Sequence, residues 1–188
     1  MRSMDEMFYQ IFDREDVAFS DSLSKAVDQK SLSELKVVIF GAAGSIGGAT
    51  VDLLLDLKVG ELIACDINEN ALVEVVRRNR SRGIVTNRFR TFCFDIRSPG
   101  LESFLKQFGS IDLVLNFAAI KHVRSERDIF SATEMISVNV LGMLRLKLAI
   151  EELGSLRGKL FSVSTDKASD PVNLMGATKN LMERVLFS

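Results

Sequence analysis

The sequence predicts an α/β fold: a doubly wound parallel sheet of about five to six strands with helices on both faces. Three observations predict it. Short β-branched runs alternate with segments of helical periodicity, the first run ends at a glycine-rich turn, and a chain of 188 residues with 47% hydrophobic residues can bury one ordinary core. Composition narrows the function. With 24 Lys+Arg against 25 Asp+Glu, the formal net charge of −1 gives no global attraction to nucleic acid or anionic lipid. One His and 2 Cys make a four-ligand zinc site improbable. No apolar run approaches the roughly 18 residues needed to span a bilayer. Two cysteines and a charged, aromatic start (Met1 to Gln10) without signal-like pattern predict a reducing cytoplasm and no disulfide framework.

Residues 1–34 read as a peripheral arm, with Met7-Phe8-Tyr9-Gln10-Ile11-Phe12 as its apolar cluster, and 35–188 as the domain. Lys36-Val37-Val38-Ile39-Phe40 is a β-branched run ending at glycine, as a strand buried on both faces should be. Ser45 to Leu57 follows with Ile46, Val51, Leu54 and Leu55 at helical spacing. Glu61 to Asp66 is the second strand, Asn70 to Arg80 the second helix, Phe89 to Asp95 the third strand and Gly100 to Phe108 the third helix. Asp112 to Phe117 is the fourth strand, Asp128 to Leu153 a long helix, Lys159 to Ser164 the fifth strand and Asn173 to Phe187 the last helix. Such alternation with right-handed crossovers gives β-α-β units and a parallel sheet.

Gly41-Ala42-Ala43-Gly44-Ser45-Ile46-Gly47-Gly48 lies between the first strand and the first helix. Its glycines at the first, fourth and seventh places suit a tight turn, a close backbone approach to a pyrophosphate and a close helix–sheet contact. The following helix start supplies free N–H groups and a positive dipole end. This strand–turn–helix setting marks a dinucleotide-binding Rossmann fold, with Gly41, Ala43, Gly44, Ser45, Ile46 and Gly47 as the candidate cradle. Asp66 ends the second strand about 20 residues later, where an acid bonds the ribose hydroxyls and favours NAD over NADP. The competing reading is an Asp opening the turn Asp66-Ile67-Asn68. Arg77, Arg78, Arg80, Arg82, Arg88 and Arg90 read as a solvated basic stretch, with phosphate contact as the alternative.

Five more segments carry a resemblance: Asp95-Ile96-Arg97, Asn116-Phe117-Ala118-Ala119-Ile120-Lys121-His122-Val123, Ser137-Val138-Asn139-Val140-Leu141-Gly142, Ser164-Thr165-Asp166-Lys167-Ala168, and Pro171 to Lys179 with Met-Gly-Ala-Thr-Lys at its end. From about Phe12 to the C-terminus the chain resembles the extended short-chain dehydrogenase/reductases. Within them it is similar to the polysaccharide-biosynthesis branch, which holds UDP-N-acetylglucosamine 4,6-dehydratases and related nucleotide-sugar epimerases. The resemblance implies NAD or NADP as cofactor, a UDP-sugar substrate and a homo-oligomer. It implies that Asp95 and Ile96 border the adenine and that Ala118, Ala119 and Lys121 line the cofactor and sugar-nucleotide side. Asn139 then braces the long helix, Thr165 bonds the sugar oxygen and Lys179 holds the nicotinamide ribose. Asp166 and Lys167 suit the base and acid of water elimination; a solvent-exposed loop pair is the bland alternative.

The departure is Met175. Most short-chain enzymes carry Tyr-x-x-x-Lys, whereas this chain has Met175-x-x-x-Lys179, and its single tyrosine is Tyr9. A thioether has no proton to exchange, so the acid–base role moves to the loop carboxylate. His122 reads as a structural histidine rather than a substrate contact, and Cys65 and Cys93 as buried, inert thiols. The family's members continue into a substrate-binding portion after the lysine-bearing helix. The sequence therefore reads as a nucleotide-binding half lacking most of the substrate domain. Three readings stay open: a 4,6-dehydratase or its fragment, a UDP-sugar 4-epimerase, and a non-catalytic NAD-binding or oligomerisation module.

Overall fold

The computed structural model describes residues 32–84, 86–121, 128–154 and 156–188; the arm with Tyr9, and His122, lie outside the described residues. Five strands form one sheet: β1 Lys36–Phe40, β2 Glu61–Asp66, β3 Phe89–Cys93, β4 Ile111–Asn116 and β5 Leu156–Ser162. Their order is β3-β2-β1-β4-β5 and every pairing is parallel. The helices are α1 Ser45–Asp56, α2 Glu69–Ser81, α3 Leu101–Lys106, α4 Ile129–Ile136, α5 Met143–Leu153 and α6 Leu174–Phe187. A π-helical segment, Ser137–Gly142, joins α4 to α5, and a 3-10 turn, Asp166–Ala168, precedes α6.

The period of two along each strand sorts its side chains between two cores. Val37, Ile39, Leu62 and Ala64 pack with Val51, Leu54, Leu55, Leu72 and Val75 from α1 and α2. Val38, Phe40, Ile63, Cys65 and Val114 pack with Leu101, Phe104 and Leu105 of α3 and Leu146, Ala149 and Ile150 of α5. Both faces of β1 are therefore covered, which is why Lys36–Phe40 lacks polar alternation.

Four expectations shift. The third strand stops at Cys93 because Asp95 leaves the ladder to bond Arg97 N. The fifth strand runs Leu156–Ser162, three residues earlier at its start than the pattern predicts, and Gly158 lies inside it beside a register shift between Ile111 and Leu113. Cys65 is buried, but Cys93 is exposed, because β3 is the outermost strand of the sheet. Finally, Ile129–Leu153 is one 25-residue helix apolar enough by length and composition to cross a membrane, a run the sequence reading did not credit. In this fold its Met135, Met143, Leu146, Ala149 and Ile150 are core residues.

Four of the six arginines in the basic stretch pair with carboxylates. Arg77 bonds Glu74, Arg78 bonds Asp52, Arg82 reaches Asp56 and Arg90 reaches Glu61.

Candidate functional site

The sheet order places the site. From β1 the chain moves outward to β2 and β3, then crosses back to β4 on the other side, so the loops after β1 and β4 part at the sheet's C-terminal edge. They separate from direct contact: Phe117 N donates to Phe40 O at 2.8 Å. Between them opens a cleft of about 330 Å³. Its walls include Gly41, Ala43 and Gly44 from the glycine loop, Asp66 from β2, Asp95, Ile96 and Arg97 after β3, Ala118 and Ala119 after β4, and Glu134 from α4.

The glycine loop suits close backbone packing. Gly41 has φ +75°, and a Cβ at Gly47 would lie 2.0 Å from Gly41 O, so α1 starts hard against its own loop. The helix start is also free of side-chain caps. Asn68, Asp128 and Asn173 accept first-turn N–H groups at the starts of α2, α4 and α6, whereas α1 begins at Gly44, which forms no such bond. An uncapped helix start opening on a cleft fits an anionic group such as a pyrophosphate.

Asp66 serves the chain itself while lining the cleft. Its Oδ2 accepts Ala43 N at 2.9 Å and its Oδ1 accepts Asn68 N at 3.0 Å. The carboxylate thus ties the glycine loop to β2 and also opens the Asp66-Ile67-Asn68 turn. Ser45, Ile46, Gly47, Lys121 and Lys179 lie outside the cleft lining. Ile46 is half exposed rather than core, and Lys121 Nζ donates to Ser45 Oγ at 3.5 Å, across the loops after β1 and β4.

Asp95 and Ile96 form the opposite wall with Arg97. Arg97 grips both oxygens of Asp95 (Nε 3.1 Å, Nη2 2.8 Å) and reaches Glu134 with Nη1. Hydrogen bonding from the Arg97 side chain holds the Asp95 carboxyl below its usual range, and Asp95 in turn raises Arg97.

The segment after β5 gathers the other candidates. Thr165 Oγ1 donates to Asp166 Oδ1 at 2.9 Å, and Lys167 N donates to the same oxygen at 3.0 Å. The Thr165 hydroxyl, then the Lys167 amide, hold the Asp166 carboxyl below its usual range, so it is a carboxylate at neutral pH. Helix α6 packs on this segment. Asn180 Nδ2 donates to Ala168 O at 2.8 Å, and a Cβ at Gly176 would lie 2.4 Å from Lys167 O. Glycine there lets α6 pack directly on the backbone of Lys167.

Lys179 is 6% exposed, with Nζ donating to Val163 O at 2.8 Å and lying 3.7 Å from Met182 Sδ. Burial lowers its ammonium to about 8. Met175 is buried at 5%. Ser164 Oγ is buried without a hydrogen-bond partner among the described residues. Asn139, in the π-helical segment, accepts Ile120 N at 3.0 Å and donates to Ile120 O at 2.9 Å and to Thr178 Oγ1 at 3.0 Å. It pins the loop after β4 to α6.

Glu134, Ser164, Thr178 and Asn180 carry no role in the sequence reading. Of these contacts, the Asp-x-Arg spacing of Asp95 and Arg97 is a local signal, since two residues suffice for an Asx turn. The remaining partners are distant in sequence.

Comparison with known proteins decides the family. A family described as polysaccharide biosynthesis protein matches residues 37–188. The chain belongs to that family. It is an extended short-chain dehydrogenase/reductase of the polysaccharide branch. It is 35% identical over 153 residues to an uncharacterized membrane protein of Methanocaldococcus jannaschii, covering 81% of this chain and 42% of that one. It is 32% identical over 153 residues to a UDP-N-acetylglucosamine 4,6-dehydratase (inverting) of Campylobacter jejuni, with the same coverage of 81% and 42%. Among solved structures, a UDP-glucose 4-epimerase from Stenotrophomonas maltophila with bound NAD and formylated UDP-arabinopyranose superposes with a TM-score of 0.66 at 27% identity, covering 82% of this chain and 48% of that one. The chain thus spans 42% of the length of these curated relatives.

Proposed function

We propose that the protein binds an NAD-type dinucleotide in the cleft and modifies a UDP-sugar for polysaccharide synthesis, as a UDP-N-acetylglucosamine 4,6-dehydratase. The carrying observation is the Thr165-Asp166-Lys167 segment held against the helix of Met175 and Lys179. A dinucleotide bound there would supply a reversible hydride acceptor for the sugar. The chain's own residues handle protons. Asp166, ionised and anchored by Thr165, is the base; Lys167, adjacent, is the acid for a leaving hydroxyl; Lys179 holds the nicotinamide ribose. Met175 contributes shape and no proton. Asp66 favours NAD over NADP, since a carboxylate repels a 2′-phosphate.

We place the protein in the cytoplasm, where nucleotide-sugar substrates of this class are used, and infer a homo-oligomer. Leu141 (55% exposed) and Leu148 (53%) on the long helix, with Leu181 (48%) and Phe187 (81%) on α6, are the apolar residues such an assembly would cover.

The resemblance to a 4-epimerase supports a second reading, in which the sugar is oxidised and reduced without losing water. Incubation with UDP-N-acetylglucosamine and NAD separates them. Loss of one water supports dehydration, whereas unchanged mass with inversion at C4 supports epimerisation. Bound NAD with neither product favours a non-catalytic NAD-binding module.

A further inference from the structure

We propose that Met182 is a positioning residue for Lys179: its thioether, set by Ser162, takes one N–H of the ammonium and so aims another at the ligand. The proposal rests on reading Lys179 as the group that holds the nicotinamide ribose, and it adds the side chain that directs it.

Met182 lies one turn beyond Lys179 on α6 and is 1% exposed. Its sulfur meets two donors. Ser162 Oγ, at the end of β5, lies 3.2 Å from Sδ, and Lys179 Nζ lies 3.7 Å from it. Ser162 is held in turn by the neighbouring strand. Parallel pairing sets Asn116 beside Ser162, and Asn116 Nδ2 donates to Ser162 Oγ at 3.3 Å. That bond fills the acceptor side of the hydroxyl. Its single proton faces Met182 Sδ, with Asn116 O farther off at 3.4 Å. The sheet thus fixes where the sulfur rests.

The sulfur limits what the ammonium can do. Of the three N–H donors a lysine carries, one goes to Val163 O at 2.8 Å and one to Met182 Sδ. With two directions taken, the Cε–Nζ bond cannot turn freely, and the third N–H keeps one direction for an incoming oxygen. A thioether is a weak acceptor, so it orients the ammonium without competing for it. A carboxylate in its place would pair with the charge, and leucine would fill the space and let the ammonium turn.

The charges around Lys179 leave this bond a visible effect. Burial lowers its ammonium to about 8, and Glu183 on the same helix opposes that lowering. The elements packed on α6 carry Asp166 and Lys167 in the 3-10 turn, Glu134 on α4, and Arg145, Lys147, Glu151 and Glu152 on α5. None of these acts on Lys179.

The test follows Lys179 by NMR in the full chain with isotope-labelled lysine, and titrates NAD at about pH 6, where the ammonium is charged. Met182→Leu removes an acceptor for the charged form, so the proton affinity of Lys179 is expected to fall about threefold or more. NAD affinity is expected to fall by a similar factor, about threefold. Ser162→Ala keeps the sulfur but releases it, and is expected to move both readouts the same way by a smaller factor. Circular dichroism melting checks that each variant is folded; should Met182→Leu fail to fold, Ser162→Ala decides by the same readouts. A Met182 that merely fills the core would leave the Lys179 titration unchanged on replacement by leucine. That outcome overturns the proposal, as does a shifted titration with unaltered NAD affinity. A wild type that does not bind NAD overturns the dinucleotide reading and the proposal with it. That failure is told apart because the lysine titration is read without ligand.

Discussion

Replacing Asn139 by alanine tests the bracing of the site most directly. Asn139 is 1% exposed and makes three hydrogen bonds, two to the backbone of Ile120 and one to Thr178 Oγ1. Alanine removes all three and leaves the Ile120 N–H and C=O without that partner in a partly buried loop. At about 1 kcal/mol net per hydrogen bond the loss is about 3 kcal/mol. For a domain of this size about 1 kcal/mol moves the melting temperature by roughly 2–4 °C, so the expected drop is roughly 6–12 °C. Circular dichroism melting measures it. Asn139→Asp serves as a second probe: it keeps the acceptor for Ile120 N but sets a charge against Ile120 O, and should be no more stable than the alanine variant. An Asn139→Ala protein melting within about 1 °C of wild type would refute the bracing role.

Other consequences can be checked independently. Gly47→Ala puts a Cβ 2.0 Å from Gly41 O, so the loop must shift and NAD affinity should fall by about tenfold or more in a fluorescence titration; unchanged affinity counts against the cradle. Lys179 titrates near 8 in the fold against an ordinary 10.5, so between these values the unfolded chain binds more protons. Stability of the ligand-free protein should therefore rise with pH from about 8 to 10.5, its burial cost being fully present below that window. Lys179→Met should flatten the rise in denaturant titrations at several pH values. Native protein should react with one equivalent of a thiol reagent at Cys93, while Cys65, whose thiol burial pushes well above the usual range, reacts after unfolding. Two fast equivalents would contradict the burial of β2.

Local features were legible in the sequence. β1 and β2 fall at Lys36–Phe40 and Glu61–Asp66 as the pattern predicts, because central parallel strands leave continuous apolar runs. The glycine loop and Asp66 also follow from spacing, since the turn is local and its partner lies 23 residues on. Cys93 misleads because its apolar neighbours do not say that β3 ends the sheet; its exposure depends on the strand order. The pattern starts the fifth strand at Lys159, yet Gly158 sits in β5 where the register shifts. Contacts between remote residues leave no spacing signal. Arg97 meets Glu134 across 37 residues and Asn139 meets Thr178 across 39. Met175 is a different case: the residue is plain in the sequence, and its burial at 5% comes from the packing of α6.

The π-helical segment has a consequence for how the gene can vary. In a regular α-helix, residues four apart drift by about 40° around the axis, so Met135, Asn139 and Met143 would spread over about 80°. The wider winding of Ser137–Gly142 offsets that drift, and all three are buried at 1% or less. One helix thereby keeps its core phase while turning a polar side chain inward. Substitutions along this stretch alter single contacts, but gaining or losing one residue rotates everything beyond it, carrying Leu146, Ala149 and Ile150 off the sheet. Along residues 137–142 the length is constrained as well as the identity of Asn139.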